Sequence, residues 1–180
     1  MATDRFSMRV RRLAWLAMLA LAPAVAEVRD ASPAGFTIEN SRSVAVPPAR
    51  AWQALVEDVD RWWPKDHSWW GRDSVLSIDP RPGGCFCETG KDGRGAAHMQ
   101  VVFVDPGSTL RMTGGLGPLQ GMGLHGALEW RLAAEGEGTR ITLHYRAGGY
   151  TPDDLSKFAP VVDRVMAQQL DGLADYLARP

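Results

Sequence analysis

The sequence predicts an α+β domain in which a curved antiparallel sheet wraps around one long C-terminal helix. Three observations carry that expectation. Alternating apolar segments separated by turn residues fill the middle of the chain, a proline-opened helical segment precedes them, and apolar residues repeat at helical spacing from Val162 onward. The 180 residues are 45% hydrophobic and 23% charged, an ordinary globular composition with too little charge bias for disorder. A chain of this length buries enough surface for one domain with its own core, so neither a disulfide nor a structural metal is required.

At the start, Arg9, Arg11 and Arg12 precede the apolar run 13–21, which closes on Ala24-Val25-Ala26, a small-x-small site. That is the order of a cleavable secretory signal peptide, residues 1–26, and the run falls short of the roughly 20 residues that span hydrocarbon. The expected location is therefore periplasmic or secreted, with no membrane insertion after cleavage. Residues 27–35 are expected to form a short flexible lead and 36–178 the folded domain. Phe36, Ile38, Val44 and Val46 suggest a first strand with an irregular middle. Pro47-Pro48 opens a helix, because a first-turn proline gives up no hydrogen bond, and Trp52 and Val56 share its apolar face. A short second helix over 57–63 stops at Pro64. Strand segments are expected at 74–78, 84–89, 96–104, 109–113, 121–132 and 139–147. Val162, Met166, Leu170, Leu173 and Leu177 then form the stripe of an amphipathic helix, with Pro160 expected outside it.

Tight turns set the register, because each fixes which residues face one another. A two-residue turn at Asp92-Gly93 pairs Phe86 with Met99, Cys85 with Gln100, Cys87 with His98 and Glu88 with Ala97. A turn at Pro106-Gly107 pairs Phe103 with Leu110, Val102 with Arg111 and Val101 with Met112. A turn at Gly136-Glu137 pairs Leu132 with Ile141, Trp130 with Leu143 and Leu128 with Tyr145. All three hairpins then present one apolar face, carrying Phe86, Met99, Val101, Phe103, Leu110 and Met112 among others, for the long helix to cover.

Charge excludes one class of function. Removing residues 1–26, with four of the 20 basic residues and one of the 21 acidic ones, leaves a net charge of −4. Lys and Arg are scattered singly, so there is no basic footprint to displace counterions from phosphates, and no nucleic-acid partner is expected.

The chain resembles the helix-grip fold of the SRPBCC or START-like superfamily, which includes polyketide cyclase-like proteins and plant lipid-binding allergens. The resemblance covers about 36–177 and rests on specific stretches. These are Val46-Pro47-Pro48-Ala49-Arg50-Ala51-Trp52, Arg61-Trp62-Trp63-Pro64, Pro82-Gly83-Gly84-Cys85-Phe86-Cys87-Glu88, Val104-Asp105-Pro106-Gly107 and the closing helix 163–177. It implies a cavity between the sheet and the long helix, used for lipids, steroids, polyketides or other apolar ligands and in some branches for catalysis. A secretion signal departs from the usual cytosolic members.

The residues themselves suggest three kinds of chemistry. A small apolar or amphipathic ligand is expected between the sheet and the helix, touched by Phe86, Met99, Val101, Met112, Val162 and Met166. Trp62, Trp63, Trp69 and Trp70 either line its entrance or pack in the core, since tryptophan offers broad apolar surface with one polar handle. Glu88 falls on the apolar face, where a carboxylate must be paired, reach water at a rim, or raise its pKa and serve as a catalytic acid or base of a cyclase- or dehydratase-like enzyme. Cys85, Cys87 and His98 are expected together on the opposite face. Plain packing leads there, ahead of a thiol or soft-metal site, while a disulfide across two strand positions spans roughly 6.7 Å, at the edge of workable geometry. Gly114 to Gly121 lacks the Lys-Ser or Lys-Thr of a phosphate loop and reads as a mobile loop, and Glu129 with His144 as an ordinary surface pair. The four histidines lack zinc-site spacing, the serines lack a Gly-x-Ser-x-Gly context, and no cofactor is expected.

The mature chain is expected to begin at Glu27. Peptide mapping of the exported protein checks this, and recovery of a peptide containing Trp15 would overturn it.

Overall fold

The computed structural model describes residues 26–179; the segment 1–26 expected to be a signal peptide lies outside the described residues except for Ala26, where the first strand begins. Eight strands form one antiparallel sheet: β1 (Ala26–Ser32), β2 (Gly35–Val44), β3 (Val75–Ile78), β4 (Cys85–Thr89), β5 (Gly95–Asp105), β6 (Thr109–Gly114), β7 (His125–Glu135) and β8 (Gly138–Gly148). Their spatial order is β1-β2-β8-β7-β6-β5-β4-β3. The first strand after the lead therefore pairs with the last, and α1 (Pro48–Glu57) and α2 (Val59–Trp62) sit in the crossover between β2 and β3. A single helical turn, α3 (Pro118–Gly121), joins β6 to β7, and α4 (Ala159–Leu177) closes the chain. This is the helix-grip α+β fold.

The sheet's inner face and α4 share one core. Trp130, Tyr145, Phe36, Ile38, Leu110, Met112, Leu128, Ile141 and Leu143 are almost completely buried, and Met166, Leu170, Leu173 and Leu177 meet them from the helix. Two polar contacts pin the helix to β2: buried Asn40 donates to Asp163 at 2.9 Å, and Arg42 donates to Asp171 at 2.6 Å. At the other side of α4 the fit is close enough to demand a glycine. A Cβ on Gly172 would stand 2.5 Å from the carbonyl oxygen of Trp62, so any side chain there would push α4 off α2.

Several expectations need correction. Residues 27–35 are not a flexible lead; β1 pairs with β2 from Ala26↔Asn40 to Ser32↔Gly35, turning the segment into the first arm of a hairpin. Pro160 lies inside α4, in its first turn, where the missing N–H would have had no partner in any case. The Gly136 hairpin has the expected register throughout, but the other two carry β-bulges. Between β5 and β6 the extra residue falls at Val102, so Phe103 pairs with Arg111 and is 43% exposed beneath the Arg111 guanidinium, while Val104 takes the place opposite Leu110. Between β4 and β5, Phe86 still faces Met99, but Cys87 faces Ala97, and His98 is the extra residue. One added residue shifts the alternation of faces, so His98 and Met99 both point inward although they are consecutive.

The bulge also separates the groups expected to form a thiol or metal site. Cys85 and Cys87 are joined by a disulfide with their Cα atoms 5.4 Å apart, well inside bonding range, whereas His98 has turned to the other side of the sheet. The pair is therefore neither free packing thiols nor metal ligands. Glu129 stands opposite His144 as expected, but instead of an ordinary surface group it is buried and ion-paired with Arg111 and Arg131. Burial pushes its carboxyl up, but the two guanidinium groups outweigh that and hold it below the usual carboxylate range.

Candidate functional site

The helix is too narrow to fill the whole concave face, and a cavity of about 480 Å³ remains beside its N-terminal half. Val162 and Met166 of α4 form one wall, Trp63 and Trp69 of the loop after α2 a second, and Leu116, Leu119 and Met122 around α3 a third. The glycine-rich segment is thus a wall with its own apolar side chains, anchored where Gln120 donates to the Ala97 carbonyl at 2.6 Å. Trp69 and Val161 are about half exposed where the cavity meets solvent.

Of the expected ligand contacts, Trp63, Trp69, Val162 and Met166 line this space. Phe86, Met99, Val101 and Met112 do not; they are buried in the layer of core behind it. Trp62 is also core, donating its indole N–H to the Ala54 carbonyl at 2.9 Å and packing edge-on against Trp130. Trp70 turns away, its ring packed closely against Gly90 and near the Arg94 guanidinium. The four tryptophans thus divide evenly, because consecutive residues in a short helix or turn cannot share one direction.

Three buried polar side chains look into the apolar cavity. His98, Tyr145 and Gln169 are 7%, 0% and 1% exposed, and each holds one polar atom without a hydrogen-bond partner in the described protein: Nδ1, the phenol oxygen and Oε1. Tyr145 has the Leu116 backbone nearby but no hydrogen bond of ordinary geometry. Sequence reasoning missed Tyr145 and Gln169 as site residues. The hairpin register puts Tyr145 on the inner face, but nothing in the sequence distinguishes a core tyrosine from one at a cavity wall, and Gln169 lies between two apolar positions of the helix stripe.

Behind His98 stands Glu88. It is not at a rim: it is 1% exposed and its carboxylate is fully engaged. Oε1 accepts from the Trp69 backbone N–H at 2.8 Å and the Ser74 hydroxyl at 2.5 Å, and Oε2 lies 2.8 Å from His98 Nε2. A carboxylate that accepts at Nε2 holds the neutral imidazole in the tautomer with its lone pair on Nδ1. Since Glu88 itself does not line the cavity, it can act on a ligand only through His98. Glu88 therefore stands behind the cavity wall rather than on it, in contact with the His98 ring. Among the described residues there is no cluster of three or more His, Cys, Asp or Glu side chains that could hold a metal ion.

With this geometry in hand, the chain can be set beside known proteins. Residues 35–178 match the family described as polyketide cyclase / dehydrase and lipid transport. Among solved structures it is similar to CalU16 from Micromonospora echinospora, at 17% identity and TM-score 0.55, over 80% of this chain and 77% of that one. It is similar to CV1439 from Chromobacterium violaceum at 19% identity and TM-score 0.57, over 80% and 98%. MLL2253 from Mesorhizobium loti aligns at 20% identity and TM-score 0.56, over 78% and 96%. At these identities the likeness is one of fold. Comparison with curated proteins finds no significant match.

Burial pushes the Tyr145 phenol up from 10.0 to about 12, against an opposing pull from the Leu116 backbone. The folded protein keeps this proton where the unfolded chain releases it, so the stabilisation is full below about pH 10 and is lost as pH rises towards 12. Urea unfolding across that window should show a steeper decline for the wild type than for Tyr145→Phe. Parallel curves would count against it.

Proposed function

We propose that this chain, which belongs to the polyketide cyclase / dehydrase and lipid transport family, is a periplasmic or secreted module that binds a small apolar or amphipathic ligand between its sheet and α4. The observation that carries this reading is the cavity itself. Its volume of about 480 Å³ lies within the range of small-molecule sites, and its walls are mostly apolar with a few polar groups placed among them. Apolar walls favour removal of hydrophobic surface from water, at roughly 25 cal/mol per Å² buried. Export, if the signal segment is cleaved as expected, would place that binding outside the cytoplasm.

The test uses N-phenyl-1-naphthylamine, an uncharged probe that fluoresces in apolar surroundings. It should bind the folded wild type, change the emission of Trp63 and Trp69, and be displaced by long-chain or polycyclic compounds. Met166→Trp should block uptake by filling the helix side of the cavity. The added bulk costs about 1–3 kcal/mol of stability through overpacking, so folding of the variant is checked by circular dichroism first. A folded wild type that takes up no probe overturns the reading.

The Glu88–His98 contact favours a second reading, acid-base catalysis in the same cavity. A neutral imidazole oriented by a carboxylate is the arrangement of a general base, and the base worth about 10²–10⁴ in rate needs only a ligand carbon acid within reach. His98 Nδ1 would take a proton from carbon next to a carbonyl, leaving an enolate, and return it. Exchange of the α-protons of 2-tetralone in D₂O, followed by NMR, should be accelerated by the wild type. Glu88→Gln should lose most of that acceleration while still binding the naphthylamine probe. Exchange no faster than in buffer rules the catalytic reading out for this carbon acid.

A further inference from the structure

We infer that the cavity selects apolar ligands bearing a neutral hydrogen-bond donor, a hydroxyl group above all, over ligands of the same shape that carry an ether or a carboxylate. This rests on the binding role proposed above and specifies its ligand class. Two of the unpartnered atoms are acceptors. Gln169 Nε2 is engaged 3.0 Å from His67 Nδ1, which leaves Oε1 for the ligand, and in the uncharged His98 ring, with Glu88 accepting from Nε2–H, the lone pair stands on Nδ1. The Tyr145 hydroxyl can donate or accept and so suits either face of a ligand hydroxyl.

A buried acceptor without a donor forfeits the hydration it had in the unfolded chain, and a ligand that brings a donor restores it. A carboxylate brings only further acceptors. No Lys or Arg side chain lines the cavity among the described residues, and the one charged side chain on its wall, Asp66, is acidic. Apart from the Tyr145 hydroxyl, an anion would therefore meet lone pairs and a like charge without a countercharge. A methyl ether lies between the two: it fits the apolar walls but leaves both acceptors unpaired. Discrimination against analogues that lack a donor is the kind a polar site makes strongly, because the site's own groups are left unpaired when the wrong ligand binds.

Three pyrene derivatives of matched shape test this by fluorescence titration: 1-hydroxypyrene, 1-methoxypyrene and 1-pyrenecarboxylate. The hydroxyl compound should bind about tenfold more tightly than the ether, equivalent to about 1.4 kcal/mol, and the carboxylate more weakly than either. Gln169→Leu should narrow the hydroxyl-to-ether ratio while leaving the ether bound at least as well. His98→Phe should narrow it too, but it strands the buried Glu88 carboxylate; Gln169→Leu, which leaves Glu88 untouched, is the deciding variant if His98→Phe does not fold. Equal binding of hydroxyl and ether, a preference for the carboxylate, or a ratio unmoved by Gln169→Leu overturns donor selection while the cavity reading stands. If the folded protein binds none of the three, both fall.

Discussion

A sheet of eight strands curving in one direction creates a concave apolar face larger than one helix can cover, and the rest of the molecule follows from that mismatch of area. The 19 residues of α4 reach about 28 Å, enough to run across the sheet but not to cover its width. Its C-terminal half is packed tightly, with Gly172 drawn against the Trp62 backbone and Arg42 fastened to Asp171. Its N-terminal half is held to β2 by Asn40 and Asp163 but leaves the far side of the concave face uncovered, and there α3 and the tryptophan loop wall off what the helix leaves open. Tight packing at one end supplies the stability that lets the other end remain hollow.

The β4–β5 bulge converts part of that hollow from a defect in packing into a chemical site. Had the ladder continued in register, His98 would face outward beside the cysteines and Glu88 Oε2 would lose its partner in an apolar layer, with only Oε1 satisfied by Ser74 and the Trp69 N–H. An uncompensated buried charge costs several kcal/mol, so that arrangement would be hard to maintain. The extra residue brings the imidazole to the carboxylate, and Ser74 and the Trp69 N–H complete the acceptor's needs. The same contacts tie the loop that carries Trp69 to the sheet. Glu88 therefore fixes both the ring that looks into the cavity and one lip of its entrance.

On the outer side of the same strand, the Cys85–Cys87 disulfide closes a loop of three residues next to the bulge. Such bonds form and persist in oxidising surroundings. The outer face elsewhere is held by charge, with Glu129 gripped between Arg111 and Arg131 across neighbouring strands. The two faces of the sheet thus use different chemistry, ionic and covalent outside, apolar with sparse hydrogen bonding inside.

The fold was legible because it depends on short-range periodicity. Alternation in the strands, the Gly136 turn and the 3–4 spacing of Val162 to Leu177 each act within a few residues, and together they require an antiparallel sheet covered by a helix. The apolar inner face was likewise readable at Phe86, Met99, Val101, Leu110 and Met112, all of which are buried. Turn arithmetic failed at His98 and Phe103, since a bulge inserts one residue for reasons of twist and side-chain demand across strands that no local pattern encodes. The lead at 27–35 became a strand only because β2 offered it an edge, and Gln169, Tyr145 and His98 became neighbours of one cavity only once α4, β8 and β5 had packed together. By itself the sequence determined which residues must be hidden from water; which of the hidden ones would face a space rather than a neighbour was decided by tertiary packing, because a cavity is what remains after every long-range contact has been made.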